Sequence, residues 1–207
     1  MAININKIYN ERIKATPLPK EYKDFLGEIP LEIGWTILLF GGAGSGKSSY
    51  ALKLSNILAR HGRILYSNNE ESLHGCTLQE KIRRLKIIPK NIYFINEGNE
   101  SLSFDESLNK IKRHLNTKRY KYCVIDSVTE MCNSRKDVLE ILELKNKYSE
   151  ISFIFIVHAD KTEKTYIGPS ILKHKVDIAI EFKKGVAYEI GKNRYKKNFD
   201  VMEMKVY

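Results

Sequence analysis

Gly41-Gly42-Ala43-Gly44-Ser45-Gly46-Lys47-Ser48 fits the pattern G-x-x-x-x-G-K-[ST], a loop whose backbone amides close around a phosphate. Its flanks decide the fold. Before it, Trp35-Thr-Ile-Leu-Leu-Phe40 is a short apolar run that reads as a buried strand. After it, residues 47–61 carry Ala51, Leu54 and Leu58 at helical spacing, with Gly62 as the stop. Strand, glycine loop and helix let successive N–H groups curl around a phosphate, while the helix N-terminus adds partial positive charge. Gly41 to Ser48, with Ser49 behind them, are therefore the expected ATP-binding loop. Lys47 would neutralise the β- and γ-phosphates, and the Ser48 hydroxyl would hold Mg²⁺.

Outward from the loop, apolar strands alternate with amphipathic helices. Strands are expected at 63–66, 91–95, 122–126 and 151–157, and helices at 77–85, from the Ser103-x-x-Glu106 capping box, and from Ser134 to about 148. The last forty residues change rhythm, with shorter strands at 176–182, 186–192 and 201–207 joined by polar turns. The pattern predicts an α/β fold with a mostly parallel central sheet flanked by helices and C-terminal antiparallel strands. Residues 1–28 read as a polar lead-in with one short helix near Lys20 to Leu26, and 29–207 as a single domain.

Composition narrows the setting. The chain has 207 residues, 43% hydrophobic and 29% charged, enough for one α/β domain with a sizeable core. No apolar run approaches the roughly 20 residues a membrane span needs, and the first residues lack the apolar core of a secretory signal. The expectation is a cytoplasmic protein without a membrane partner. Three cysteines with no C-x-x-C spacing suggest neither a disulfide framework nor a zinc knuckle. The net charge of +10 favours polyanions, nucleic acid above all, and the basic residues cluster at 110–121 and 183–197.

Hydrolysis needs more than a phosphate loop. Asp126 ends the apolar run Val124-Ile-Asp-Ser127, where an acid would hold the Mg²⁺ shell beside Ser48. Glu70, with Glu71 beside it, follows the second strand and is the candidate base for the attacking water. His158 follows the fifth strand. In an open parallel sheet the ligand crevice lies outside the carboxyl ends of the strands, so Glu70, Asp126, His158 and the loop are expected to converge there.

Asn68-Asn-Glu-Glu-Ser72, Val124-Ile-Asp-Ser127, Ile167-Gly-Pro-Ser-Ile-Leu-Lys-His-Lys-Val-Asp177 and Lys192-Asn-Arg194, in that order, resemble the bacterial RadA branch of the RecA-like ATPases. The resemblance implies that Glu70 is the catalytic glutamate and that His158 senses the γ-phosphate. It further implies that Lys192 and Arg194 reach into a neighbouring subunit's ATP site as a finger, making the active unit a homo-oligomer, a ring or a filament. Single-stranded DNA is the implied partner, with a single-strand-binding protein beside it. The loop after the fifth strand would contact DNA, through Lys161 and Lys164 on phosphates and Tyr166 on a base. Departures accompany the matches. The family's zinc module and protease-like domain have no counterpart in this sequence, Lys81 stands where the family has an arginine, and Tyr195-Lys196 replace Phe-Gly after the finger motif. This core-only pattern is similar to small phage-encoded RadA-like ATPases, some of which anneal single strands. The implied function is an Mg·ATP-dependent ATPase of recombination, repair or annealing. A replicative-helicase-like motor and a KaiC-like regulatory ATPase without a DNA role share the same core.

Overall fold

Every residue of Thr36–Gly41 (β1) is buried, a burial pattern that requires cover on both faces of the sheet. The computed structural model describes residues 14–32, 34–88, 90–96, 102–159, 171–196 and 203–205. In chain order these form α1 (Lys20–Leu26), β1, α2 (Lys47–Leu58), β2 (Arg63–Asn68), α3 (Cys76–Arg84), β3 (Ile92–Asn96), α4 (Phe104–Asn116) and β4 (Tyr120–Asp126). They continue with α5 (Val128–Met131), α6 (Arg135–Lys147), β5 (Ser152–His158), α7 (Ile171–Lys175), β6 (Ile178–Lys183), β7 (Val186–Asn193) and β8 (Glu203–Lys205).

The strands make one eight-stranded sheet in the order β3-β2-β4-β5-β1-β6-β7-β8. Pairings from β3 through β6 are parallel, and β6-β7-β8 are antiparallel, as the change of rhythm near the C-terminus predicts. Side chains alternate between the faces, so the central strands feed two cores. Ile37, Leu39, Val124 and Ile156 join Tyr22 and Phe25 of α1 and Tyr50, Leu54 and Leu58 of α2. Leu38, Phe40, Ile125 and Phe155 meet Leu108 and Ile111 of α4 and Val138 and Ile141 of α6 on the other side.

Local signals set the helix starts. Ser103 accepts from the Glu106 amide and Glu106 reaches back to Ser103, the predicted capping box; Ser134 and Asp137 form a second one at α6. The short helix α5 starts on the same spacing, Ser127-Val-Thr-Glu130, and the Ser127 hydroxyl accepts from the Glu130 amide at 3.3 Å. From residue 14 onward the lead-in is packed: Tyr22 and Leu26 are buried, and Thr16 Oγ1 donates to the Pro30 carbonyl at 2.9 Å.

Candidate active site

The loop from Gly42 leaves the carboxyl end of β1 and enters α2, whose N-cap is Gly46, a residue with no side chain to occupy the first-turn amides. Two glycines shape it for different reasons. A Cβ on Gly41 would lie 2.3 Å from the Phe182 carbonyl oxygen, so β6 closes one side. Gly44 has φ +70 and open space around its missing side chain, the conformation glycine adopts without strain. The Gly185 amide donates to the Ser45 carbonyl at 3.2 Å, tying the β6–β7 turn to the loop.

Lys47 is buried, and its ammonium donates to the carbonyls of Gly41 (2.9 Å) and Gly42 (2.8 Å). Burial pushes its pKa down, while Glu70 and Asp126 act the other way. Ser48 Oγ donates to Asp126 Oδ1 at 3.3 Å, and the Tyr66 hydroxyl to Asp126 Oδ2 at 2.7 Å. Burial, then the nearby Glu70 charge, raise the Asp126 carboxyl to about 6. Glu70 Oε1 lies 2.5 Å from His158 Nε2. Burial raises the Glu70 pKa, but hydrogen bonds from His158 and Ser127 and the charges of His158 and Lys47 outweigh it, and the net direction is down. The Thr129 hydroxyl accepts from the His158 amide at 2.9 Å, fixing the end of β5.

The predicted convergence is therefore present: Lys47, Ser48, Glu70, Asp126 and His158 share one edge of the sheet. Lys192 and Arg194 do not. Lys192 lies in β7, and Arg194 follows it and pairs with Asp177 at 2.9 Å. Asp177 also accepts from Thr36 at the first residue of β1, through the amide (2.9 Å) and the hydroxyl (2.7 Å). Five residue steps along β1, about 16 Å at the usual strand rise, separate Thr36 from Gly41. Lys161, Lys164 and Tyr166 lie outside the described residues.

Three features escaped the sequence reading. Tyr66 sits beside Asp126 because β2 neighbours β4 in the sheet. Lys81 forms an ion pair with Glu71, leaving Glu70 as the acid turned to His158. A cleft of about 690 Å³ adjoins the loop, lined by Gly44, Gly46 and Ser49 with the cations Lys53, Arg84 and Lys184. Its size is that of a small-molecule site.

The donor set fits Mg²⁺. Among the described residues no group of three or more His, Cys, Asp and Glu could hold a metal alone. The Ser48 hydroxyl and Asp126 carboxylate instead supply hard oxygens in direct contact, as suits an ion that completes its shell with water and substrate phosphate. Ser45 Oγ, inside the loop, is buried without a hydrogen-bond partner, an orphan that a phosphate oxygen would satisfy.

No protein-family model matches the chain. The DNA repair protein RadA of Helicobacter pylori is 31% identical over 205 residues, covering 92% of this chain and 42% of its own length. RadA of Campylobacter jejuni is 29% identical over 180 residues, covering 80% of this chain and 37% of its own. A KaiC-like protein of Pyrococcus horikoshii superposes with TM-score 0.67 at 17% identity, over 93% of this chain and 94% of its own. The chain has a RecA-like ATPase core resembling RadA. The flagellar accessory protein FlaH of Methanocaldococcus jannaschii shares the fold, with TM-score 0.65 at 14% identity over 95% and 96% of the two chains. The RadA-like core spans less than half the length of the curated relatives it matches. Among its described residues no helix is long and apolar enough to cross a membrane.

Proposed function

We propose that the chain hydrolyses Mg·ATP as a cytoplasmic homo-oligomer on single-stranded DNA, in recombination, repair or strand annealing, with a phage as its source. The observation that carries this reading is the meeting of Lys47, Ser48, Asp126, Glu70 and His158 at the carboxyl edge of the sheet. Gly41 to Ser49 bind the triphosphate, and the cleft beside Gly44 receives the nucleoside. Lys47 exchanges the loop carbonyls for the β- and γ-phosphates. Ser48 and Asp126 hold Mg²⁺, which when bound neutralises charge on the transferring phosphoryl group. Glu70, kept ionised by His158 and Ser127, orients the attacking water and accepts its proton. His158 ties that base to the end of β5 beside the phosphate loop, where it reports the γ-phosphate.

Lys192 and Arg194 complete the site in trans. Supporting this, Arg194 is held by Asp177 at the far end of β1, beyond reach of its own subunit's loop. The loop carrying Lys161, Lys164 and Tyr166 contacts the DNA, and a single-strand-binding protein is its neighbour on the strand. A second reading, a regulatory ATPase without DNA, draws support from the KaiC-like fold.

Hydrolysis rates with and without single-stranded DNA, for wild type, Lys47→Ala and Glu70→Gln, test the proposal. DNA-stimulated turnover lost in both variants supports it. Turnover indifferent to DNA favours the regulatory reading. Lys161→Ala with Lys164→Ala should weaken DNA binding and flatten its salt dependence.

A further inference from the structure

Far from the ATP site, the amino ends of β2, β3 and β4 bring residues 59–63, 90–93 and 116–122 together. These segments hold six cations, Arg60, Arg63, Lys90, Lys118, Arg119 and Lys121, and no Asp or Glu. All but Lys121 are exposed. Aromatic rings are interleaved with the charge. Tyr93, on β3 at the edge of the sheet, is 42% exposed, and the Arg63 guanidinium carbon lies 5.6 Å from its ring centroid. Tyr93 packs edge-on against Tyr120 at 5.9 Å, and Tyr120 packs edge-on against His114 at 6.1 Å. Tyr120 is thereby locked from behind, and Tyr93 is held with its ring at the surface.

We infer that this edge is a second binding surface for single-stranded DNA, with a base stacked at Tyr93 and the backbone on Arg63, Lys118 and Arg119. Cations alone would serve any polyanion. A fixed, exposed tyrosine already stacked on an arginine adds a flat platform that accepts any base and offers nothing to a carboxylate. Lys118, Arg119 and Lys121, the end of the basic cluster at 110–121 that the ATP site does not use, thereby acquire a role. The surface lies at the other end of the strands from Lys47, so it holds DNA without touching the phosphate loop. The inference shares the DNA ligand of the proposed function and uses no part of its ATP cycle.

Fluorescence anisotropy of a labelled oligodeoxythymidine with the nucleotide-free full chain tests it across a salt series. Tyr93→Ala should weaken binding about tenfold at every salt concentration, because a lost stack is not a lost charge. Tyr93→Phe, which keeps the ring, should bind as wild type does. Lys118→Ala with Arg119→Ala should weaken binding and reduce the log–log salt slope by about 1.4, roughly 0.7 per phosphate contact. Thermal unfolding of each variant within error of wild type confirms that folding is not the cause. The inference is overturned if Tyr93→Ala and the double variant both bind as wild type does. It is equally overturned if polyglutamate, and not oligodeoxythymidine, is the ligand whose binding these variants lose. Failure of the ATPase proposal reads differently, as absent hydrolysis with these binding differences intact.

Discussion

Glu70 Oε1 and His158 Nε2 lie 2.5 Å apart, joining the ends of β2 and β5 across the intervening β4. The pair places an acid kept ionised next to the last residue of the strand that neighbours β1 and its phosphate loop. Glu70→Gln should therefore retain ATP binding and lose turnover by about 10²-fold or more, measured as phosphate release alongside nucleotide affinity.

The same contact sets the acid limb of activity. The folded-state pKa of Glu70 lies below its ordinary value of 4.5, so its ion pair contributes stability above that pH and loses it as pH falls through the lowered pKa. Turnover should show no acid limb from Glu70 between pH 5.5 and 8, on the order of one unit and more above that ordinary value. His158→Ala removes two of the causes that lower the pKa. Its rate profile should fall at a higher pH than that of wild type.

Asp126 behaves in the opposite sense. Its carboxyl is raised from 3.8 to about 6, so the folded chain binds a proton more tightly than the unfolded chain does. The nucleotide-free protein should lose stability as pH rises from about 4 to about 6, by up to roughly 3 kcal/mol. Asp126→Asn should flatten that dependence in urea melts at a series of pH values, and should also abolish Mg²⁺-dependent turnover.

Two glycine substitutions should separate folding from binding. Gly41→Ala drives a Cβ to 2.3 Å from the Phe182 carbonyl and should destabilise the fold by several kcal/mol or prevent expression. Gly44→Ala meets open space at φ +70 and should cost about 1 kcal/mol, while sharply weakening ATP binding. Thermal melts and nucleotide titration of the two variants check this.

Much of the fold was legible because its signals are local. The glycine loop, the capping box at Ser103 and the all-apolar run ending at Asp126 are each written within a few neighbouring residues. Glu70, Asp126 and His158 could be placed at one edge because parallel strands all end on the same side. Their pairing could not be read, since it depends on strand order: β2 beside β4 gives Asp126 its Tyr66 donor, and β4 beside β5 brings His158 within reach of Glu70. Nor could the Lys81–Glu71 ion pair or the basic cleft beside Gly44, because both join segments that only packing brings together. The opposite placement of Arg194 was likewise invisible until β7 ran antiparallel to β6 and returned the chain to the start of β1.

The central claim is that each ATP site is completed by the next subunit, and mixing two inactive variants tests it most directly. Glu70→Gln keeps the finger and lacks the base, and Arg194→Ala keeps the base and lacks the finger. If the site is shared, random co-assembly in equal amounts leaves about one interface in four with both elements intact, and ATPase activity should recover to about a quarter of wild type. A mixture that stays at the activity of its two parents at every ratio would contradict the account.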